Sequence, residues 1–517
     1  MEKQFFNLCM RYVIKFLVMV FKWAWRLGIV WLGVVSYILD IIKKGNGILG
    51  AILEIPFFII GLGGMAYFIY ETYLRFKYKN PKFQLWKHLL NNRNQKGFVA
   101  KTNEYKTGTE ATGVVFGKLK GQYITKTEDK DGHILVIGGA GSGKSSCIAI
   151  PTLKAWQGRV FAIDIKGELY EKTNADREAA MIKVFNPTDR QSFKYNPYYL
   201  FNHTDDVYAE AKDLAIAILP LSPSDKNPYF TTTAQSLLTG LMLYFYEREY
   251  SFAGTMKEIK LHNIRDLIAE AIKFGSDKVK MELSQFDGMD EKTLSNVYST
   301  LSNGITLFAT NDDLQWALDN DSECITPQDL ENGFDIYLNI PEHKLEQWKI
   351  LLSMMCNQFL KAFERRPNDN KKPILFLIDE MARIGKIETI TNGLATLRSK
   401  KITIALFVQS KSQLNAIYGN DVAEIIADNC SYKAILKASE PNTQEWCSKL
   451  VGTYEKQKIS HSSNRDEFGI SKGSGASTTV EDKRIIKPEE FAYLDDIVCL
   501  FPTGYLRIDK APYYLEK

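Results

Sequence analysis

The 517-residue chain has no C-x-x-C pair among its seven cysteines (Cys9, Cys147, Cys324, Cys356, Cys430, Cys447, Cys499), and its six histidines are dispersed. That spacing excludes a zinc ribbon or a disulfide framework and fits a reduced, cytosolic compartment. Nor is there an excess of one charge: 65 Lys and Arg against 61 Asp and Glu leave a formal +4. Bulk electrostatics do not call for nucleic acid, so any such contact must come from local patches. With 45% hydrophobic and 24% charged residues, the composition is that of a globular protein. The length implies two or three structural units.

Long apolar runs occur only near the start. Trp23–Ile42 and Gly47–Tyr70 each approach the ~20 residues that span a bilayer as a helix. Between them lies the short turn Lys43–Gly47. Basic residues precede the pair (Lys3, Arg11, Lys15, Lys22, Arg26) and follow it (Arg75, Lys77, Lys79, Lys82, Lys87). The positive-inside rule then sets both ends in the cytoplasm, with Lys43 and Lys44 opposing it. The expectation is a two-helix transmembrane anchor over residues 1–80, in contact with membrane lipid. A cleaved signal peptide does not fit, because a second apolar run follows the first.

The clearest local motif is Gly138–Ser145, G-x-x-x-x-G-K-[ST], preceded by the apolar run Ile134–Ile137 and followed by a helix-compatible stretch containing Pro151. Glycines allow successive backbone N–H groups to turn inward around phosphate oxygens, and a helix N-terminus adds partial positive charge. The predicted phosphate cradle is Gly138, Gly139, Ala140, Gly141, Ser142, Gly143, Lys144, Ser145 and Ser146. Lys144 is expected to reach the β- and γ-phosphates of ATP, and Ser145 to ligate Mg²⁺.

Far downstream, the apolar run Pro373–Ile378 ends in Asp379-Glu380, a buried strand whose C-terminal end would face the phosphates. Asp379 is the expected second Mg²⁺ residue, and Glu380 the residue that orients and deprotonates the attacking water. Further strand-like runs are Val160–Asp164, Ile182–Phe185, Ile336–Leu338, Ile402–Val408, Ala434–Leu436 and Ile497–Phe501, with helical segments between them. Such alternation predicts an α/β fold with a mostly parallel sheet. Helical periodicity over 225–310 (Thr233–Glu247, Leu261–Phe274, Glu291–Phe308) predicts an all-helical insertion between a first (81–224) and a second (311–517) part of the nucleotide domain. The Ser- and Gly-rich stretch 455–484 reads as a flexible loop.

In this order the motifs resemble those of the type IV secretion coupling proteins, the TraG/TraD-like ATPases of conjugation. The blocks are the anchor, the P-loop, Ala162–Glu168 (a D-x-K-G-E), Tyr195–Pro197 and Asn227–Phe230. After them come Leu377–Gly385, Val408–Ser410 with Gln413 and Tyr418-Gly419, Asn429-Cys430, Pro488–Glu490 and Lys510–Tyr514. The resemblance implies a RecA-like P-loop NTPase, a homo-hexameric ring at the bacterial inner membrane and hydrolysis of ATP. It also implies single-stranded DNA, a relaxase–DNA complex and secretion-channel subunits as partners. It further implies that Gln409 lies near the γ-phosphate and that Arg398 is an arginine finger acting on a neighbouring subunit. Lys166 and Glu168 stand between nucleotide contact and a structural ion pair. The segment between the membrane helices is shorter than in many relatives, and no long C-terminal tail follows Tyr514.

Two other functions compete with this reading. One is a chromosome-segregation-type DNA pump, which would carry a C-terminal winged helix. The other is an adaptor that binds nucleotide without hydrolysis, against which the intact Lys144, Asp379 and Glu380 argue. An ABC transporter is disfavoured by the lack of an L-S-G-G-Q-type signature.

Overall fold

The computed structural model describes residues 99–178, 181–221, 228–320, 323–368, 372–465 and 471–515. The expected anchor helices lie outside these residues. Among the described residues, no helix is long and apolar enough to cross a membrane.

Nine strands form the central sheet: β1 (Ile134–Ile137), β2 (Arg159–Asp164), β3 (Ile182–Phe185), β4 (Asp335–Asn339), β5 (Ile374–Ile378), β6 (Ile402–Val408), β7 (Tyr432–Ile435), β8 (Ile497–Phe501) and β9 (Gly504–Ile508). Their order across the sheet is β9-β8-β7-β1-β6-β5-β2-β4-β3. Strands β1 to β7 pair in parallel, whereas β8 pairs antiparallel with both β7 and β9. The central strands β1, β5 and β6 are buried along their whole length. That explains why they read as unbroken apolar runs rather than alternating ones.

The expected α/β class and mostly parallel sheet are therefore present. Four helices of the region predicted to be helical begin with side-chain caps: Ser251, Asn263, Ser276 and Asp290 each accept a hydrogen bond from a first-turn backbone N–H, whereas the helix Tyr229–Tyr246 starts at Pro228 without one. Leu237, Leu241, Val297, Leu301 and Ile305 from these helices share one hydrophobic core with Phe161, Phe359 and Phe376 under the sheet. A smaller three-stranded sheet (Lys106–Gly108, Val114–Leu119, Gln122–Lys126) packs near the other face.

One expectation is corrected. The Ser- and Gly-rich stretch forms an antiparallel ribbon, Thr453–Arg465 paired with Ser471–Arg484. Small polar residues do not forbid a strand, and here the backbone of the returning segment supplies the ladder that composition alone does not announce.

Candidate functional site

The glycine-rich loop leaves β1 tied on both sides. Gly138 N–H donates to Val408 O at the end of β6 (3.0 Å), and Gly139 N–H donates to Lys437 O just beyond β7 (2.6 Å). Gly143 has φ +98°, a left-handed conformation that favours glycine. A Cβ on Gly138 would lie 2.4 Å from Ser142 Oγ. The loop thus needs glycine at Gly143, and a Cβ at Gly138 would require the Ser142 hydroxyl to turn aside.

The following turn, Ser145–Ala149, is a π-helix, and Ile150 N–H donates to Ser145 O. Pro151 has no N–H to donate, which releases the helical ladder at this point. An α-helix resumes over Ile150–Ala155. Within the loop, Ala140 and Gly141 are exposed, Ser145 and Ser146 partly exposed, and Ser142 and Lys144 buried.

Lys144 Nζ donates to Gly138 O at 2.7 Å and lies 3.8 Å from Glu380 Oε1. Gln409 Nε2, one residue past β6, donates to Glu380 Oε2 at 2.6 Å. Since β6 lies between β1 and β5, Gln409 emerges between the lysine and the acidic pair. The sheet therefore brings Lys144, Glu380 and Gln409 together at the C-terminal ends of three neighbouring strands. Glu380 has φ +54°, an uncommon conformation for a side chain other than glycine.

Asp379 stands at the end of β5. Its Oδ1 is inaccessible and has no hydrogen-bond partner. Burial, then the Glu380 charge, push its carboxyl up to about 6, against the opposing pull of Lys144. An orphaned carboxylate oxygen beside a lysine and a phosphate-type loop fits a hard divalent cation with oxygen ligands.

The sign of this shift yields a prediction. A folded-state value above the unfolded one means that the ionised carboxylate destabilises the metal-free fold above about pH 6. That penalty fades as pH falls from there toward the ordinary carboxylate range. Asp379→Asn should therefore raise the melting temperature of the metal- and nucleotide-free protein at pH 7.5, by the equivalent of ~1–3 kcal/mol. The gain should shrink toward pH 5. A variant that melts lower at pH 7.5 would contradict the burial account.

Sequence reasoning passed over Asp164, at the end of β2. Its Oδ2 accepts from Tyr170 N–H at 2.8 Å, burial raises its carboxyl, and its charge adds to the push on Asp379. The available signal was its place at the end of an apolar run, the same signal that marked Asp379. Lys166 is exposed, and its charge, after the hydrogen bond from Arg383, helps hold the Glu342 carboxyl down. Glu168 opens the helix Glu168–Thr173.

Arg398 is not brought into this site. It is exposed in the turn Leu397–Lys400 before β6, at the end of the sheet opposite Gln409. Seven residues of strand separate the two ends by ~20 Å. Its charge bears instead on buried His133, whose imidazole burial and Lys126 together hold down to about 3 with a smaller share from Arg398, and on Tyr432.

A strand-to-helix glycine loop with a buried lysine, facing an acidic pair across one strand, defines a P-loop nucleotide-binding protein. The profile of the family described as "Type IV secretory system Conjugative DNA transfer" matches residues 87–517. The chain belongs to that family.

Among its relatives, Protein VirD4 of Rhizobium radiobacter is 25% identical over 429 residues, covering 78% of this chain and 61% of that protein. The type IV secretion system-coupling protein VirD4 of Bartonella quintana (strain Toulouse) is 22% identical, covering 74% and 63%. The chain thus spans somewhat less than two thirds of the length of these relatives. In structure it is similar to the conjugative coupling protein TrwB in its trigonal form with sulphate: TM-score 0.61, 18% identity, 80% of this chain and 94% of that one. TrwB with ADP and Mg²⁺ gives 0.59, with 18% identity over 80% and 91%. At that identity the likeness establishes the fold.

Proposed function

We propose that this protein is the membrane-anchored ATPase that couples DNA, or a relaxase–DNA complex, to a type IV secretion channel during conjugation. The observation that carries the reading is the joining of Lys144, Glu380 and Gln409 at one sheet edge, in a chain of the conjugative DNA transfer family. The complex of TrwB with ADP and Mg²⁺ supports the choice of ligand.

In this reading the loop Gly138–Ser146 binds the phosphates of ATP, and Ser145 and Asp379 would hold Mg²⁺, which would supply positive charge to offset that of the phosphates. Lys144 turns from Gly138 O toward the phosphates. Glu380 accepts a proton from the water that attacks the γ-phosphorus, and ADP and phosphate leave. Gln409, donating to one carboxylate oxygen, fixes the orientation of the other. The chain divides into an anchor (1–80, helices near 23–42 and 47–70) in the bacterial inner membrane, a nucleotide domain (81–224 and 311–517) on the cytoplasmic side, and a helical insertion (225–310). Channel subunits and lipid are its membrane partners, and single-stranded DNA is gripped through its phosphates without regard to sequence. Transfer from donor cells tests this: the wild-type gene should restore plasmid transfer to a strain lacking it, and Lys144→Ala should not. Equal rescue by both would sink the proposal.

The subunits assemble as a homo-hexamer, and Arg398 serves the site of the next subunit. Its exposure, with ~20 Å of strand between it and the site of its own chain, is what a residue acting across a seam requires. Arg398→Ala and Lys144→Ala should each abolish turnover alone. Mixed rings of the two should regain a fraction of it, because some seams then join an intact loop to an intact arginine. If mixing restores nothing, Arg398 does not act in trans.

A further inference from the structure

The end of the described chain returns to the nucleotide loop. Strand β9 runs parallel to β1, three strands away, and so finishes at the same edge of the sheet. Asp509 is held there by paired backbone hydrogen bonds with Lys118, of 2.9 and 2.8 Å. Ala511 and Pro512 are buried. Tyr513–Leu515 then lies against the π-turn Ser145–Ala149, the segment that directly continues the loop. Tyr513 packs on the core cluster that holds Cys147 and Ile148, with Lys154 Nζ 6.0 Å from its ring centroid.

This path leaves Lys510 partly buried and close to Cys147, one residue beyond Ser146. Its ammonium makes no hydrogen bond or ion pair with any described residue. The nearest carboxylates do not neutralise it. Asp496 is committed to Arg507 through bonds of 2.8 and 3.0 Å, and Asp495 is exposed. A second cation, Lys437, stands close enough to oppose it. A partly buried cation without a counter-ion is costly unless an anion arrives. The anion-binding motif that this segment packs beside is the P-loop, and Ser146 and Cys147 lie in the first turn of the helix that continues it. Burial lowers the ammonium's proton affinity, consistent with the missing partner.

We propose that Lys510 is a nucleotide-binding residue that pairs with the α-phosphate, so that the segment Lys510–Tyr514 forms the nucleoside side of the site. The proposal rests on the nucleotide reading above, and it assigns to the last of the sequence blocks, Lys510–Tyr514, a role that the phosphate motifs do not cover. It separates two groups of contacts. Lys144 and the glycine loop grip the β- and γ-phosphates, and Lys510 adds affinity only for ligands that carry an α-phosphate esterified to a nucleoside.

Calorimetric titration of the full-length chain in detergent with ADP, ATP and inorganic pyrophosphate tests it. Lys510→Met should weaken ADP and ATP by roughly tenfold, the usual scale of one charge-assisted hydrogen bond, and leave pyrophosphate within about twofold. Lys510→Arg should keep most of the affinity. Without ligand, Lys510→Met should melt no lower than the wild type, since it removes an unpaired cation. Equal loss for nucleotide and pyrophosphate, no loss for either, or a lowered ligand-free melting point would overturn the proposal. Lys144→Ala is the separate arm: if pyrophosphate still binds that variant normally, the nucleotide reading itself fails, whatever Lys510 does.

Discussion

Replacing Glu380 with Gln should lower ATP turnover by about 10³-fold while changing ATP affinity less than about threefold. The substitution keeps the size and shape of the side chain. Gln409 Nε2 can still donate to an oxygen at this position, so the 2.6 Å contact survives. The backbone cost of φ +54° is the same for Gln as for Glu. Lys144 loses a partner at 3.8 Å, beyond a normal hydrogen bond, and keeps Gly138 O at 2.7 Å. What disappears is the carboxylate proposed to take the proton of the attacking water. A rate measured with and without single-stranded DNA, beside an affinity measured by titration, separates base from scaffold. Unchanged turnover would assign the carboxylate a structural role. It would also favour a nucleotide-binding adaptor over a motor, the more so if DNA transfer persisted in cells carrying the variant.

Lys144→Ala should act on binding itself, weakening ATP and ADP by ~100-fold or more. The ammonium is nearly inaccessible and turned inward by Gly138 O, so its charge is held where phosphates would meet it rather than spent on solvent. Removing it also leaves Glu380 and Asp379 without their nearest cation, so the loop mouth becomes more negative and repels a triphosphate more strongly. The fold should survive. The lysine's polar contacts are one backbone carbonyl and one distant carboxylate, and the glycine loop is tied by backbone hydrogen bonds to Val408 and Lys437 that do not involve its side chain. Titration and ligand-free melting together check this. Retained affinity would place the phosphates elsewhere.

The parts of this site that could be read from the chain are those written in consecutive residues. The loop from Gly138 to Ser145 and the run ending in Asp379-Glu380 each carry their chemistry in less than ten positions. β5 and β6 were visible because both faces are buried, which makes every residue but Thr403 apolar. β9 was not, because it carries the charged Arg507, whose reason for being there is Asp496 eleven residues earlier. The small sheet over 106–126 hid for a similar reason: its strands alternate lysine, glycine and apolar residues at a partly exposed edge. In the ribbon 453–484, composition spoke for a loop and only the partner segment spoke for a strand. Asp164 and Lys510 lie 215 and 131 positions from Asp379, far apart in sequence but close to the same edge of the sheet. Their relevance comes from strand order, which a linear reading does not contain.

The account turns on where a bound triphosphate sits. A structure of the full-length protein by electron microscopy, with a non-hydrolysable ATP analogue and Mg²⁺, measures that directly. The phosphates should lie within hydrogen-bond reach of the backbone N–H groups of Gly141–Ser145 and of Lys144 Nζ, with the metal between Ser145 and Asp379 and Glu380 facing the terminal phosphorus. Density for the nucleotide away from the glycine loop, or a metal with no link to Asp379, would contradict it.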